Sequence, residues 1–129
     1  MPKGDQKVTH SGNTIMISRP SFNYLALVTY AKDLYSMIAS TTWTKETSEK
    51  GKEYLRSTKY GLLHQLVISY FYGEGALLEA YKSDYVIDHL DNNGYDCTCE
   101  NLALIPRKEN SAKGLTYIEK GQNRFQSMQ

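Results

Sequence analysis

Residues 85–114 read YVIDHLDNNGYDCTCENLALIPRKENSAKG, and the architecture turns on how they are parsed. A short apolar run, taken from Asp84, reads as a strand that stops at the adjacent pair Asp88–His89. A polar loop follows from Leu90 to Cys99, with Asn93–Gly94 as a strong turn signal. Leu102–Ile105 is a second short strand. Pro106 stands where a first helical residue is favoured, and the helix it opens is stopped by Gly114. The unit is therefore strand, loop, strand, helix.

Such a unit carries a chemical expectation. If the helix packs across the two strands, a side chain near its middle faces the end of the first strand. Asp88 and Asn110 would then each present an oxygen to one divalent ion, and oxygen donors suit hard cations such as Mg²⁺ or Mn²⁺. Neighbouring strand residues point to opposite faces, so Asp88 and His89 share a site only if the strand ends or bends there. Taken singly, each residue has an ordinary reading. Asp–His is a solvated strand end, Asn101 a turn residue and Asn110 an exposed helix residue. Their order and spacing are what point to chemistry.

Upstream, Leu62–Tyr72 (LLHQLVISYFY) reads as an amphipathic helix with Leu63, Leu66, Val67 and Tyr70 on one face. Gly73 and Gly75 break it, and ALLEAY continues as a second helical piece. Thr41–Lys45 and Glu53–Ser57 are strand-like, with a polar link ending near Gly51, which predicts a hairpin. Its lysines and Arg56 alternate with glutamates, a pattern that favours a solvated surface over a groove reader. Trp43 and Tyr54 are expected to pack across the hairpin. Before it, residues 1–13 read as a loose tail, Thr14–Ser18 as a strand, and Ser21 to about Ala39 as a helix striped by Phe22, Leu25, Ala26, Val28, Leu34, Tyr35 and Ile38.

The whole composition fits a folded chain of one domain. There are 129 residues with a net charge of +1, 22% charged and 40% hydrophobic. That balance argues against a large basic footprint, though not against a local patch. Cys97 and Cys99 lie too close in sequence for an easy bridge, and no second cysteine pair supports a zinc site. Both are expected as free thiols in a reducing compartment. No signal-like or membrane-spanning apolar run is present, so a cytoplasmic location is expected. The eleven tyrosines suit a core or a binding surface equally well.

The quoted stretch resembles the HNH endonucleases, the ββα-metal nucleases. The match lies at Asp88–His89, Asn101–Leu102 and Glu109–Asn110. LLHQLVISYFYG also looks like the His-Arg-Leu-Val helix of phage and intron-encoded members, with Gln65 in place of Arg. The resemblance spans residues 41–114. It implies an α+β fold in which a ββα-metal core follows a β-hairpin and amphipathic helix, with an extra N-terminal strand and helix. The organisation expected is an extension over 1–40, a nuclease-like domain over 41–114 and a C-terminal arm over 115–129.

By that resemblance His89 is the general base, Asn101 orients it, and Asp88 and Asn110 hold one divalent metal, Mg²⁺ or Mn²⁺. Arg107, Lys108 and Lys113 are candidate DNA-phosphate contacts. His64 is a candidate for either packing or an active-site contact. The implied activity is DNA phosphodiester hydrolysis, nicking one strand if the protein acts as a monomer, with a homodimer or protein partner as further options. Two departures stand out: Asp96–Cys97–Thr98 replaces the Asp-Asn-Arg of many members, and the third motif position is Asn. An alternative from another class is a phage-encoded binding protein on the same scaffold, for example an inhibitor of a host defence nuclease.

Overall fold

The structure is a computed structural model that describes residues 4–109. It is α+β. The chain runs through β1 (Lys7–Ser11), β2 (Thr14–Arg19), a 3-10 turn (Pro20–Phe22), β3 (Tyr24–Thr29), α1 (Lys32–Ala39), β4 (Thr44–Thr47), β5 (Glu53–Ser57) and β6 (Gly61–Leu62). It continues with α2 (Leu63–Tyr72), α3 (Glu74–Lys82), β7 (Tyr85–His89), β8 (Asp96–Cys97) and β9 (Leu102–Pro106). Three sheets result: β1-β2-β3-β8, β4-β5-β6 and β7-β9.

The N-terminal third differs from expectation. Its tail is β1, paired antiparallel with β2 from Lys7↔Ser18 to Ser11↔Thr14. The expected helix from Ser21 is three pieces: the 3-10 turn, β3 and α1. Asn23 adopts a left-handed φ of 56°, which stops helical continuation. In β3 the apolar residues alternate: Tyr24, Ala26 and Val28 are buried, while Leu25 is 57% exposed. The apparent helical stripe had joined residues from opposite faces of a strand, a period-two pattern read as 3.6.

The far edge of β3 accepts β8 in parallel, at Leu27↔Asp96 and Val28↔Cys97. The Leu27 amide donates to the Tyr95 carbonyl at 2.8 Å, and the Cys99 amide to Thr29 Oγ1 at 2.7 Å. So the polar loop after His89, expected to be irregular, is pinned to the N-terminal sheet. One core unites the elements: Ile15, Ile17, Ala26 and Val28 meet Leu34 and Ile38 of α1, Leu55 of β5, and Leu63, Val67 and Ile68 of α2. Burying each large aliphatic side chain stabilises by roughly 1.5–3 kcal/mol.

Trp43 is fully buried in this core and is not the cross-strand partner of Tyr54. The β4–β5 register sets Glu46 opposite Tyr54, and Trp43 lies before β4. Its indole donates to the Ile38 carbonyl at 3.0 Å, so its polar handle is satisfied inside the core. The hairpin itself forms as expected, turning through Ser48–Gly51, and its outer face carries an Arg56–Glu46 ion pair at 2.6 Å. The two helices after it form and break at Gly73, whose φ is +95°, while Gly75, also expected as a breaker, lies within α3. Both cysteines are free thiols.

Candidate active site

β7 and β9 make a two-stranded antiparallel ribbon in which Tyr85 faces Pro106 and His89 faces Leu102. The ribbon closes where the Leu90 amide donates to the Asn101 carbonyl at 2.8 Å. Immediately after His89 the chain turns, with the Asn92 amide donating to the His89 carbonyl at 2.8 Å and Asn92 at a left-handed φ of 64°. A strand that ends at this point lets two consecutive side chains reach one site. Asp88 and His89 are 3% and 6% exposed, and both line the same recess of about 30 Å³. The volume is enough for a water-sized occupant.

Asn101 holds the loop that forms one wall. Its Nδ2 donates to Asp91 Oδ1 at 2.9 Å and to the Asp96 carbonyl at 2.8 Å, and its Oδ1 accepts from the Asp91 amide at 3.1 Å. Asn93 forms the turn: its carbonyl accepts from the Asp96 amide at 3.0 Å. Gly94 abuts β5 so closely that a Cβ there would sit 1.9 Å from the Glu53 carbonyl oxygen. Beside it the Tyr95 hydroxyl donates to Glu53 Oε1 at 2.8 Å. The hairpin is thereby locked onto the loop, and Lys52, Glu53 and Tyr54 join Asp88 and His89 around the recess.

Three rings meet behind the Asp–His pair. Tyr54 lies 5.2 Å from His64 and 5.7 Å from His89 between centroids, and His64 meets His89 edge-on at 5.1 Å. His64 sits on the buried face of α2, and its Nδ1 is buried without a hydrogen-bond partner. Burial, helped by the nearby charge of Arg56, pushes its pKa down to about 4, so the ring is neutral at neutral pH. Burial, and then the charge of Asp88, push the Tyr54 phenol up. Cys97 touches His89 from below, Sγ to Nε2 at 3.7 Å. Burial first, then the charge of Asp96, push that thiol up, so it stays protonated.

The structure thus brings Asp88 and His89 together, sets His64 against His89, and uses Asn101 as a loop staple. Arg107 lies beyond the other end of the ribbon, five residues along from Leu102, the partner of His89, or roughly 16 Å at strand rise. There its Nε donates to Asp84 Oδ1 at 2.8 Å. Arg107–Glu109, including Lys108, begin a helical turn. Asn110 and Lys113, with the C-terminal arm expected from 115, lie outside the described residues. From the sequence Lys52 is expected among the solvated charges of the hairpin and Tyr54 as a packing partner of Trp43, not at the recess where both lie. The available signal was period-two spacing: Tyr54 and Arg56 share one face of β5, and Lys52 immediately precedes that strand.

Among the described residues no group of three His, Cys, Asp or Glu side chains is clustered to hold a metal. The residues lining the recess include two carboxylate bearers, Asp88 and Glu53, with Asn92 and His89 beside them. That fits a hydrated hard cation, which keeps several waters and needs only one or two carboxylates. It does not fit a caged zinc site.

The site is thus an antiparallel ribbon ending in a buried Asp–His pair, with an asparagine stapling the loop that follows. Residues 62–112 match the family model described as HNH endonuclease, a span that contains Asp88, His89, Asn101 and Asn110. Over that segment the chain is similar to the HNH endonucleases. No curated protein and no solved structure matches it.

Proposed function

We propose that the protein is a metal-dependent DNA endonuclease that cuts one strand at a time. The observation that carries this reading is the burial of Asp88 and His89 side by side on one recess, inside the segment that matches the family. His89 takes the proton of the attacking water, a role suited to an imidazole whose ordinary pKa lies near working pH. Cys97 supports the tautomer this needs. Its thiol donates to the Gly94 carbonyl, leaving sulfur to accept from His89 Nε2–H and Nδ1 as the basic nitrogen. Asn101 keeps the loop, and with it the mouth of the recess, in place.

Asp88, together with Asn110, would hold the Mg²⁺ or Mn²⁺. When bound, that ion polarises the phosphate and neutralises charge on the leaving oxygen. Arg107, Lys108 and Lys113 contact the DNA backbone away from the scissile bond, which fixes register without reading sequence. Residues 41–114 form the nuclease unit, and 1–40 brace it. A single Asp88–His89 pair per chain gives one cut per encounter.

Supercoiled plasmid incubated with Mg²⁺ or Mn²⁺ tests this. Open-circle DNA is expected to accumulate, to stop with EDTA, and to fall at least about 100-fold in Asp88→Asn. Cleavage that persists in EDTA or in Asp88→Asn would refute the reading, as would no cleavage with either metal.

A further inference from the structure

The segment that matches the family begins at residue 62, yet one wall of the recess comes from before it. We propose, resting on the nuclease reading above, that the β4–β5 hairpin is a working part of the site. Lys52 binds the scissile phosphodiester, and Tyr54, backed by His64, positions the His89 ring.

Three observations support this. First, the hairpin is not free to drift. Gly94 leaves no room for even a methyl group against the Glu53 backbone, and Tyr95 hydrogen-bonds the Glu53 carboxylate at 2.8 Å. Lys52 and Tyr54 flank the residue fixed at that contact. Second, Lys52 is the cation that lines the recess holding Asp88 and His89. The loop carries Asp96–Cys97–Thr98 and offers no arginine, and Arg107 is engaged with Asp84 at the far end of the ribbon. A phosphodiester docking at the mouth of a recess lined by acidic residues needs a positive group at the rim, and a flexible ammonium supplies one without demanding a fixed geometry. Third, Tyr54 touches both histidines, and His64 meets His89 edge-on at 5.1 Å. A buried His64 ring and a half-buried Tyr54 ring, both against His89, restrict its swing, and a base held in its attack orientation loses less rate to misalignment.

The hairpin's other charges act differently. Arg56 pairs with Glu46 at 2.6 Å and Lys45 with Glu53 at 3.9 Å, while Lys50 sits in the exposed turn. Lys50→Gln is therefore the matched control for Lys52→Gln: same turn, same charge change, different surroundings.

The test has two arms. Binding of an end-labelled DNA duplex in Mg²⁺ is measured on a His89→Ala background, where cleavage does not intrude. Lys52→Gln is expected to weaken binding about tenfold and to lower the slope of log affinity against log salt by about 0.9, one phosphate contact. Lys52→Arg restores both, and Lys50→Gln matches the parent. Steady-state cleavage is measured in the otherwise wild-type protein. Tyr54→Leu is expected to lower kcat about tenfold at nearly unchanged KM, and Tyr54→Phe, which keeps the ring, to rescue it. Circular dichroism melting confirms that each variant folds. Lys52→Gln indistinguishable from Lys50→Gln would overturn the phosphate role, and Tyr54→Leu with full kcat the positioning role. If the unaltered protein cuts no DNA, the nuclease reading has failed, and the binding arm still decides Lys52.

Discussion

At His64 burial and function pull in different directions. The ring is nearly enclosed and one nitrogen lacks a partner, a cost of about 1–3 kcal/mol for a buried polar group. An aliphatic residue would fill the same place on α2 without that cost. Contact with His89 gives the histidine a reason to be there. It also has a consequence for stability. The folded pKa is about 4 against an ordinary 6.5, so between those values the unfolded chain binds a proton that the folded chain does not. The contribution to stability is complete above about pH 6.5 and is lost as pH falls towards about 4, by up to about 3 kcal/mol. Urea unfolding of the native protein should therefore show stability declining from pH 7 to pH 5. His64→Phe should flatten that decline. Equal slopes for the two proteins would mean that His64 titrates normally in the fold.

At the scale of elements, the important joint is between the loop after His89 and the hairpin. Gly94 is required there for space, since a Cβ would stand 1.9 Å from the Glu53 carbonyl oxygen. Gly94→Ala must push the loop off β5 and is expected to cost about 2–4 kcal/mol in chemical denaturation, with loss of cleavage. A change under about 0.5 kcal/mol would show that the joint is loose. This joint was invisible in the sequence, where Asn93–Gly94 read only as a turn. The turn is real, but its packing partner lies some forty residues earlier in the chain. Elements with a single clear period were legible: the β4–β5 hairpin, α2, the Gly73 break, and the β7–β9 ribbon with its terminal Asp–His pair. β3 was not, because YLALVT carries apolar residues on both faces and mimics a helical stripe. Nor was β1, whose polar KVTHS owes its strand form to pairing with β2.

Across the whole molecule, the N-terminal sheet and the nuclease segment share one core and one strand pairing. Cys97 shows why: it is fully buried, belongs to β8 beside β3, and touches His89. Cys97 therefore touches both the N-terminal sheet and His89, so the surroundings of His89 include residues from widely separated parts of the described chain. No helix among the described residues is long and apolar enough to cross a membrane. In the proposed mechanism His89 is the base of a metal-dependent cut. Single-turnover cleavage of an end-labelled DNA duplex, protein in excess and Mg²⁺ saturating, measures that step directly. His89→Ala is expected to slow the cut by about 10²–10⁴ while still binding the duplex. A variant that binds and cuts at the native rate would contradict the account.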